Sequence, residues 1–265
     1  MFKFSLYFNK FKKNKNLKIA VGFFGHLRTY EYCAPYLKKY ILQYHDCDLF
    51  MHSWTNLDHN SKTASLHDRV PGKTDLKKIT KAYGNFKKII IEKQIAEDLG
   101  YTLSDFSLFA SKSLFYSMKK VVDSIQEYIN KTHIKYDYIL LIRPDILLNT
   151  PFILSKVIKE GDPNNRFYTF GTAIVGDHVY AMDLVLFAYP EIIFKIMSKS
   201  TGIIDKCIKR EIEVWHNEDI FIRILNEAEV DITYLYNKYV YEKDWTICRY
   251  EHIENNKIIY KFNNS

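Results

Sequence analysis

Apolar residues recur along this chain with two alternating spacings, and the alternation sets the expected architecture. Leu17-Lys18-Ile19-Ala20-Val21-Gly22-Phe23-Phe24-Gly25 is a short apolar run ending in glycine. It predicts a buried first strand that opens into a loop. Tyr36, Leu37, Tyr40, Ile41 and Tyr44 then return at helical spacing within residues 30–44. Residues 47–54 predict a second strand, and residues 88–92 a third after an intervening helix. Over residues 104–130, Leu114, Met118, Val121, Val122, Ile125 and Ile129 form the longest amphipathic stripe. Tyr138-Ile139-Leu140-Leu141-Ile142 is the clearest buried strand, and it stops at Arg143-Pro144-Asp145 because proline has no N–H for a ladder. Strands alternating with helices predict an α/β fold, with a mostly parallel central sheet flanked by helices.

The second half changes character. Residues 166–170, 173–175 and 179–182 are short strand-like runs. Residues 190–199 and 217–227 predict helices, and residues 233–241 and 258–262 predict late strands. Only 9 glycines and 6 prolines punctuate the chain, too few for a β-sandwich built on tight turns. Apolar residues make up 47% of its 265 positions, a globular composition.

Charge alters this picture at one end. The chain carries +7, but residues 1–18 hold six lysines and no acid, so the remainder carries only +1. A nearly neutral body argues against a nucleic-acid partner, which would need a basic face. Phe2, Phe4, Leu6, Phe8 and Phe11 lie among those lysines, a mixture suited to an anionic membrane surface. The leader has no uninterrupted apolar stretch of the kind a signal peptide needs. Cys33, Cys47, Cys207 and Cys248 are scattered without a CxxC pair. That argues against a zinc site and fits a reducing cytoplasm.

Candidate chemistry gathers at strand ends, where open parallel sheets bind ligands. After the first strand come Gly25, His26 and Arg28. Glycine allows close backbone approach, and Arg28 can grip phosphate with two N–H groups. The spacing is not GxGxxG, so no dinucleotide fingerprint is present. Trp54 ends the second strand and offers a ring for stacking on a base or sugar. Arg143 and Asp145 end the fourth. There the arginine would offset a diphosphate leaving group, and the aspartate would hold a sugar or a divalent cation. Ser113 and Tyr116 sit on the helix before that strand, within reach of the same ligand.

Together these stretches resemble bacterial GT-A glycosyltransferases of capsule and lipopolysaccharide loci. Residues 135–145 are similar to that family's strand running into an aspartate motif, often Asp-x-Asp. Gly25-His26-Leu27-Arg28-Thr29 is similar to its Gly-x-Leu-Arg-Thr turn, and Asn217-Glu218-Asp219 to its late acidic motif at a helix start. Asp183 resembles an acidic position ahead of the helix that bears Pro190. The likeness spans roughly residues 17–245 and lies in the order of short motifs.

The resemblance implies a single GT-A-like (Rossmann-like) domain over residues 17–265, behind a membrane-associating leader over residues 1–16. Residues 17–150 would form the nucleotide-sugar half and residues 151–265 the acceptor half. It implies a nucleoside-diphosphate sugar as donor and a glycan or glycolipid acceptor. Asp219, Glu218 or Asp183 would serve as general base, in the cytoplasm or at the inner membrane. It further implies Mn2+ or Mg2+ at the aspartate motif. Here Arg143 replaces the first aspartate, so Asp145 is a lone carboxylate and Arg143 would do part of a cation's work. On this reading, removing Arg143 or Asp145 abolishes transfer and leaves the protein folded. Two competing classes fare worse. A methyltransferase-like nucleotide enzyme expects an acid at the end of the second strand, where His52-Ser53-Trp54 stands. A nucleic-acid-binding module expects a basic body.

Overall fold

In chain order the first half contains β1 (Lys18–Phe23), α1 (Tyr30–Tyr40), β2 (Asp46–Trp54), α2 (Leu76–Tyr83), β3 (Phe86–Glu92), α3 (Phe106–Thr132), β4 (Tyr138–Ile142) and β5 (Ile146–Leu148). The second half adds α4 (Leu154–Val157), β6 (Arg166–Thr169), β7 (Ile174–Val175), β8 (His178–Val179), β9 (Val185–Ala188), α5 (Pro190–Ile208), α6 (Asn217–Glu227) and β10 (Asp231–Tyr234). Near the C-terminus lie β11 (Trp245–Ile247), β12 (Ile253–Glu254) and β13 (Lys257–Ile258). This computed structural model describes residues 17–58, 72–95, 106–158, 165–171, 174–175, 178–179, 183–209, 211 and 217–263. The basic leader lies outside them.

Seven strands form one sheet in the order β10-β6-β9-β4-β1-β2-β3. β3, β2, β1 and β4 run parallel, β9 runs antiparallel to β4 and β6, and β10 is parallel to β6. The fold is therefore α/β with a mostly parallel, Rossmann-like central sheet. Strands from both halves of the sequence share it. The chain builds outward from β1 to β3, then crosses back to place β4 on the other side of β1. That reversal is the point where doubly wound sheets open a ligand crevice beyond their strand ends. Phe23 and Ile142, the last residues of β1 and β4, are register partners at this point.

Strand alternation divides the core into two layers. Ile19, Val21 and Phe23 face α1, α2 and the C-terminal segment, while Ala20 and Phe24 face α3, α5 and α6. Gly22 lies on the α3 side. A Cβ there would stand 2.3 Å from Val121 Cγ1 and 2.6 Å from Leu141 Cδ2. Both atoms belong to packed, buried side chains with nowhere to retreat. Gly22→Ala is expected to destabilise the protein by about 1–3 kcal/mol, as overpacking does. Urea unfolding checks this: the midpoint should fall with the slope unchanged.

Several expectations need correction. The strand expected over 233–241 ends at Tyr234, because Leu235 and Tyr239 turn inward to the core. Tyr239 stacks there on Phe170, with centroids 5.0 Å apart and planes 2° from parallel. Of the strand expected over 258–262 only Ile258 is in one, at the end of β13 in a short hairpin with β12. The helix expected over 190–199 continues to Ile208. β9 was not expected at all. Its four residues are all buried, too short a run for a period to show. Among the described residues no helix is long and apolar enough to cross a membrane.

Candidate functional site

Beyond the ends of β1 and β4 lies a buried ion cluster. Arg28 has φ 45°, an uncommon conformation for a side-chain-bearing residue. Its backbone N–H donates to Leu57 O at 2.8 Å, which ties the turn to the segment after β2. The guanidinium then reaches two acids: Nε donates to Asp58 Oδ1 and Nη1 to Asp145 Oδ2, both at 3.0 Å. Arg143 closes the cluster from the other side, with Nε 2.9 Å from Asp145 Oδ1 and Nη2 donating to Asp145 Oδ2. Asp145 is 0% exposed, whereas the Arg143 and Arg28 side chains are 15% and 18% exposed. Burial works to raise the Asp145 pKa, but Arg143 and Arg28 hold it down at about 2. Asp145 is thus an ionised carboxylate with both oxygens engaged.

A second acid behaves in the opposite way. β9 runs back alongside β4, and the Arg143 N–H donates to Leu184 O at 3.1 Å. That pairing sets Asp183 beside the end of β4. Asp183 is buried. Burial, reinforced by the charge of Glu218, pushes its pKa up to about 6, with Arg143 opposing. Glu218 comes from the first turn of α6, as does Asp219, and both are partly exposed. The structure thus couples Asp183, Glu218 and Arg143, residues far apart in sequence. An acid poised near neutrality can exchange a proton with a ligand under working conditions.

On the other side of β1, a polar relay supports the Gly25 loop. The Gly25 N–H donates to Ser117 Oγ at 2.7 Å, and Ser117 Oγ is also 2.7 Å from His52 Nδ1. His52 Nε2 faces Glu92 Oε2 at 3.2 Å. Burial drives the His52 pKa down to about 4 despite Glu92, so the ring is neutral. Burial would raise the pKa of Glu92, but bonds from Tyr116, His52 and Lys120 bring it below its usual value. An ionised carboxylate can only accept, so the His52 proton sits on Nε2 and Nδ1 accepts from the Ser117 hydroxyl. Neither Ser117 nor Glu92 stands out in the sequence. A serine within a helical stripe and a glutamate at a strand end carry no signal until α3 lies across the sheet.

The same helix places Ser113. Along α3, Ser117 meets Gly25, while Val121 and Ile125 meet Gly22. The helix therefore runs back down β1, and Ser113, one turn before Ser117, lies further out beyond the end of β1. Ser113 is 4% exposed and its Oγ has no hydrogen-bond partner. A buried hydroxyl left without a partner is a candidate ligand contact. Gly25 has φ 84°, and a Cβ there would meet nothing within 4 Å, so the space above it is open.

Four expected roles change. Trp54 is 2% exposed. Its ring stacks on Tyr116, with centroids 5.7 Å apart, and packs against His52. It has no open face for a base or sugar, and it holds Tyr116 in place instead. The Tyr116 hydroxyl is itself committed to Glu92, at 2.9 Å. His26 spans the segments after β2 and β3, its ring nitrogens 3.2 Å from Asn56 O and 3.0 Å from Gln94 Oε1. Asp145 does not fit the part of cation ligand. A metal ion there would have to displace a guanidinium and sit beside two positive charges. Among the described residues no three His, Cys, Asp or Glu side chains gather into a metal-binding group. No family model matches this chain, and neither does any curated protein.

Proposed function

We propose that this protein is a GT-A-type glycosyltransferase. It moves a sugar from a nucleoside-diphosphate donor to a surface-glycan acceptor of the capsule or lipopolysaccharide kind, at the cytoplasmic side of the membrane. One observation carries the reading: a carboxylate tuned near neutrality, Asp183, stands beside the guanidinium-rich crevice at the sheet's switch point. The order of the Gly25–Thr29 turn, the Arg143–Asp145 strand end and the Glu218–Asp219 helix start supports the same reading.

In the proposed reaction the bond from the anomeric carbon to the phosphate oxygen breaks, and its electron pair leaves with the diphosphate. The acceptor oxygen forms the new bond to that carbon, and Asp183 takes the acceptor's proton. Glu218 keeps Asp183 basic enough for this through repulsion. Arg28 and Arg143 retain N–H groups on their exposed edges for donor oxygens, and Ser113 offers a hydroxyl from above. Asp145 keeps both arginines aimed. No step runs through a metal ion.

A thermal-shift screen of nucleoside-diphosphate sugars, with and without manganese, tests the proposal. The correct donor, at about 100 times its dissociation constant, should add about 2.7 kcal/mol of stability without manganese. Stabilisation by S-adenosylmethionine, with none from any sugar nucleotide, would sink it.

A further inference from the structure

We infer that Arg249, on the segment that follows β11, is a further anion-binding residue, one that takes the diphosphate of the donor. This rests on the glycosyl-transfer reading for the ligand's identity, and on charge and geometry for the residue. Among the described residues the Arg28 and Arg143 guanidiniums at this strand end are already paired with acids. Arg28 is paired with Asp58 and Asp145, and Arg143 with Asp145. Asp183, beside Glu218, adds negative charge when it ionises. A diphosphate entering this space needs a cation that is not already committed.

Arg249 meets that need. It is half-buried, and it forms no ion pair among the described residues. Its backbone is held at the crevice from several sides. The Cys248 N–H donates to Asp145 O at 2.8 Å, and Thr29 Oγ1 donates to Cys248 O at 2.7 Å. Those bonds join the segment to the chain beyond both β4 and β1. β11 pairs with β5, with Ile247 opposite Ile146, and the Arg249 N–H donates to His252 Nδ1 at 3.1 Å. The Arg249 charge is felt at the Arg143 guanidinium. A segment fastened beyond the ends of β1 and β4 thus brings there a guanidinium that has no ion pair among the described residues. Guanidinium suits a diphosphate because it can donate two parallel N–H bonds.

Calorimetric titration of the full chain with inorganic pyrophosphate tests this at two salt concentrations. Wild type is compared with Arg249→Gln, Arg249→Lys and Lys257→Gln, the last altering an exposed lysine on the β12–β13 hairpin. Arg249→Gln should weaken binding at least tenfold, Arg249→Lys about threefold, and Lys257→Gln less than twofold. The melting temperature of Arg249→Gln without ligand should stay within about 2 °C of wild type. If Arg249→Gln does not fold, Arg249→Lys carries the comparison. Unchanged affinity in the folded Arg249 variants, equal weakening in Lys257→Gln, or no binding by wild type would each overturn the assignment. Pyrophosphate carries no sugar, so the two readings fail separately. Anion binding lost in Arg249→Gln, with no sugar nucleotide ever turned over, keeps Arg249 and removes glycosyl transfer. Transfer that is indifferent to Arg249→Gln does the reverse.

Discussion

Asp145→Asn is expected to destabilise the protein by about 3–5 kcal/mol, a large share of the roughly 5–15 kcal/mol that holds a native fold. The substitution is nearly isosteric, so lost packing is not the cause. Asp145 is 0% exposed and takes hydrogen bonds from two guanidiniums that are themselves largely buried. Asparagine would leave those charges facing each other across a neutral amide. Pairing offsets the desolvation of a buried ion, and removing one partner exposes the whole penalty. The sequence alone suggested that loss of Asp145 would abolish transfer in a folded protein. The buried pairing in the structure adds a loss of stability to that expectation. Urea unfolding at neutral pH checks this, and a change below about 1 kcal/mol would show that the cluster is not buried as described.

The same residue sets an acid dependence. Its pKa is about 2 in the fold, below the usual 3.8. A depressed carboxylate contributes stability that is present above the unfolded pKa and lost as pH falls through the folded one. Roughly 2 kcal/mol should therefore disappear between about pH 4 and pH 2 in wild type, and not in Asp145→Asn.

Asp183→Asn should have the opposite effect on stability and a larger one on activity. The folded pKa of Asp183 is about 6, raised from 3.8. A raised pKa means stability that is complete below the unfolded value and lost as pH rises through the folded value. By pH 7.5 the ionised, buried Asp183 takes away up to about 3 kcal/mol, which asparagine would restore. Transfer should fall by about two to four orders of magnitude, the usual contribution of a general base. Wild-type activity should decline as pH drops through about 6, where Asp183 gains its proton. In Glu218→Gln that limb should move to lower pH, because the repulsion that helps raise the Asp183 pKa is gone. Full activity in Asp183→Asn, with the acid limb unmoved, would remove Asp183 from the reaction. A more stable but inactive Asp183→Asn would show that function is held here at the expense of stability.

Apolar spacing alone determined the parallel half of this fold. Leu17–Gly25, the stripe from Leu114 to Ile129 and the run from Tyr138 to Ile142 each bury one face or both. Such patterns admit few solutions besides strand, helix and strand in alternation. Spacing also pointed to the ion cluster, since Arg28, Arg143 and Asp145 follow runs that end at the same edge of the sheet. It did not disclose β9, which is too short to show a period and whose direction depends on its partners.

The chemistry of each polar residue was decided only by tertiary neighbours. Asp145 and Asp183 are both aspartates near the end of one strand, β4. Two guanidiniums, one of them 117 positions away, ionise the first, while burial beside Glu218 holds a proton on the second up to about pH 6. Trp54 lost its expected role when α3 laid Tyr116 across its ring, and Arg249 acquired one when the C-terminal segment returned to Asp145. The reason is physical. Periodicity is a property of consecutive residues and can be read along the chain. Charge state, exposure and hydrogen-bond partners are set by whatever the crossovers bring alongside.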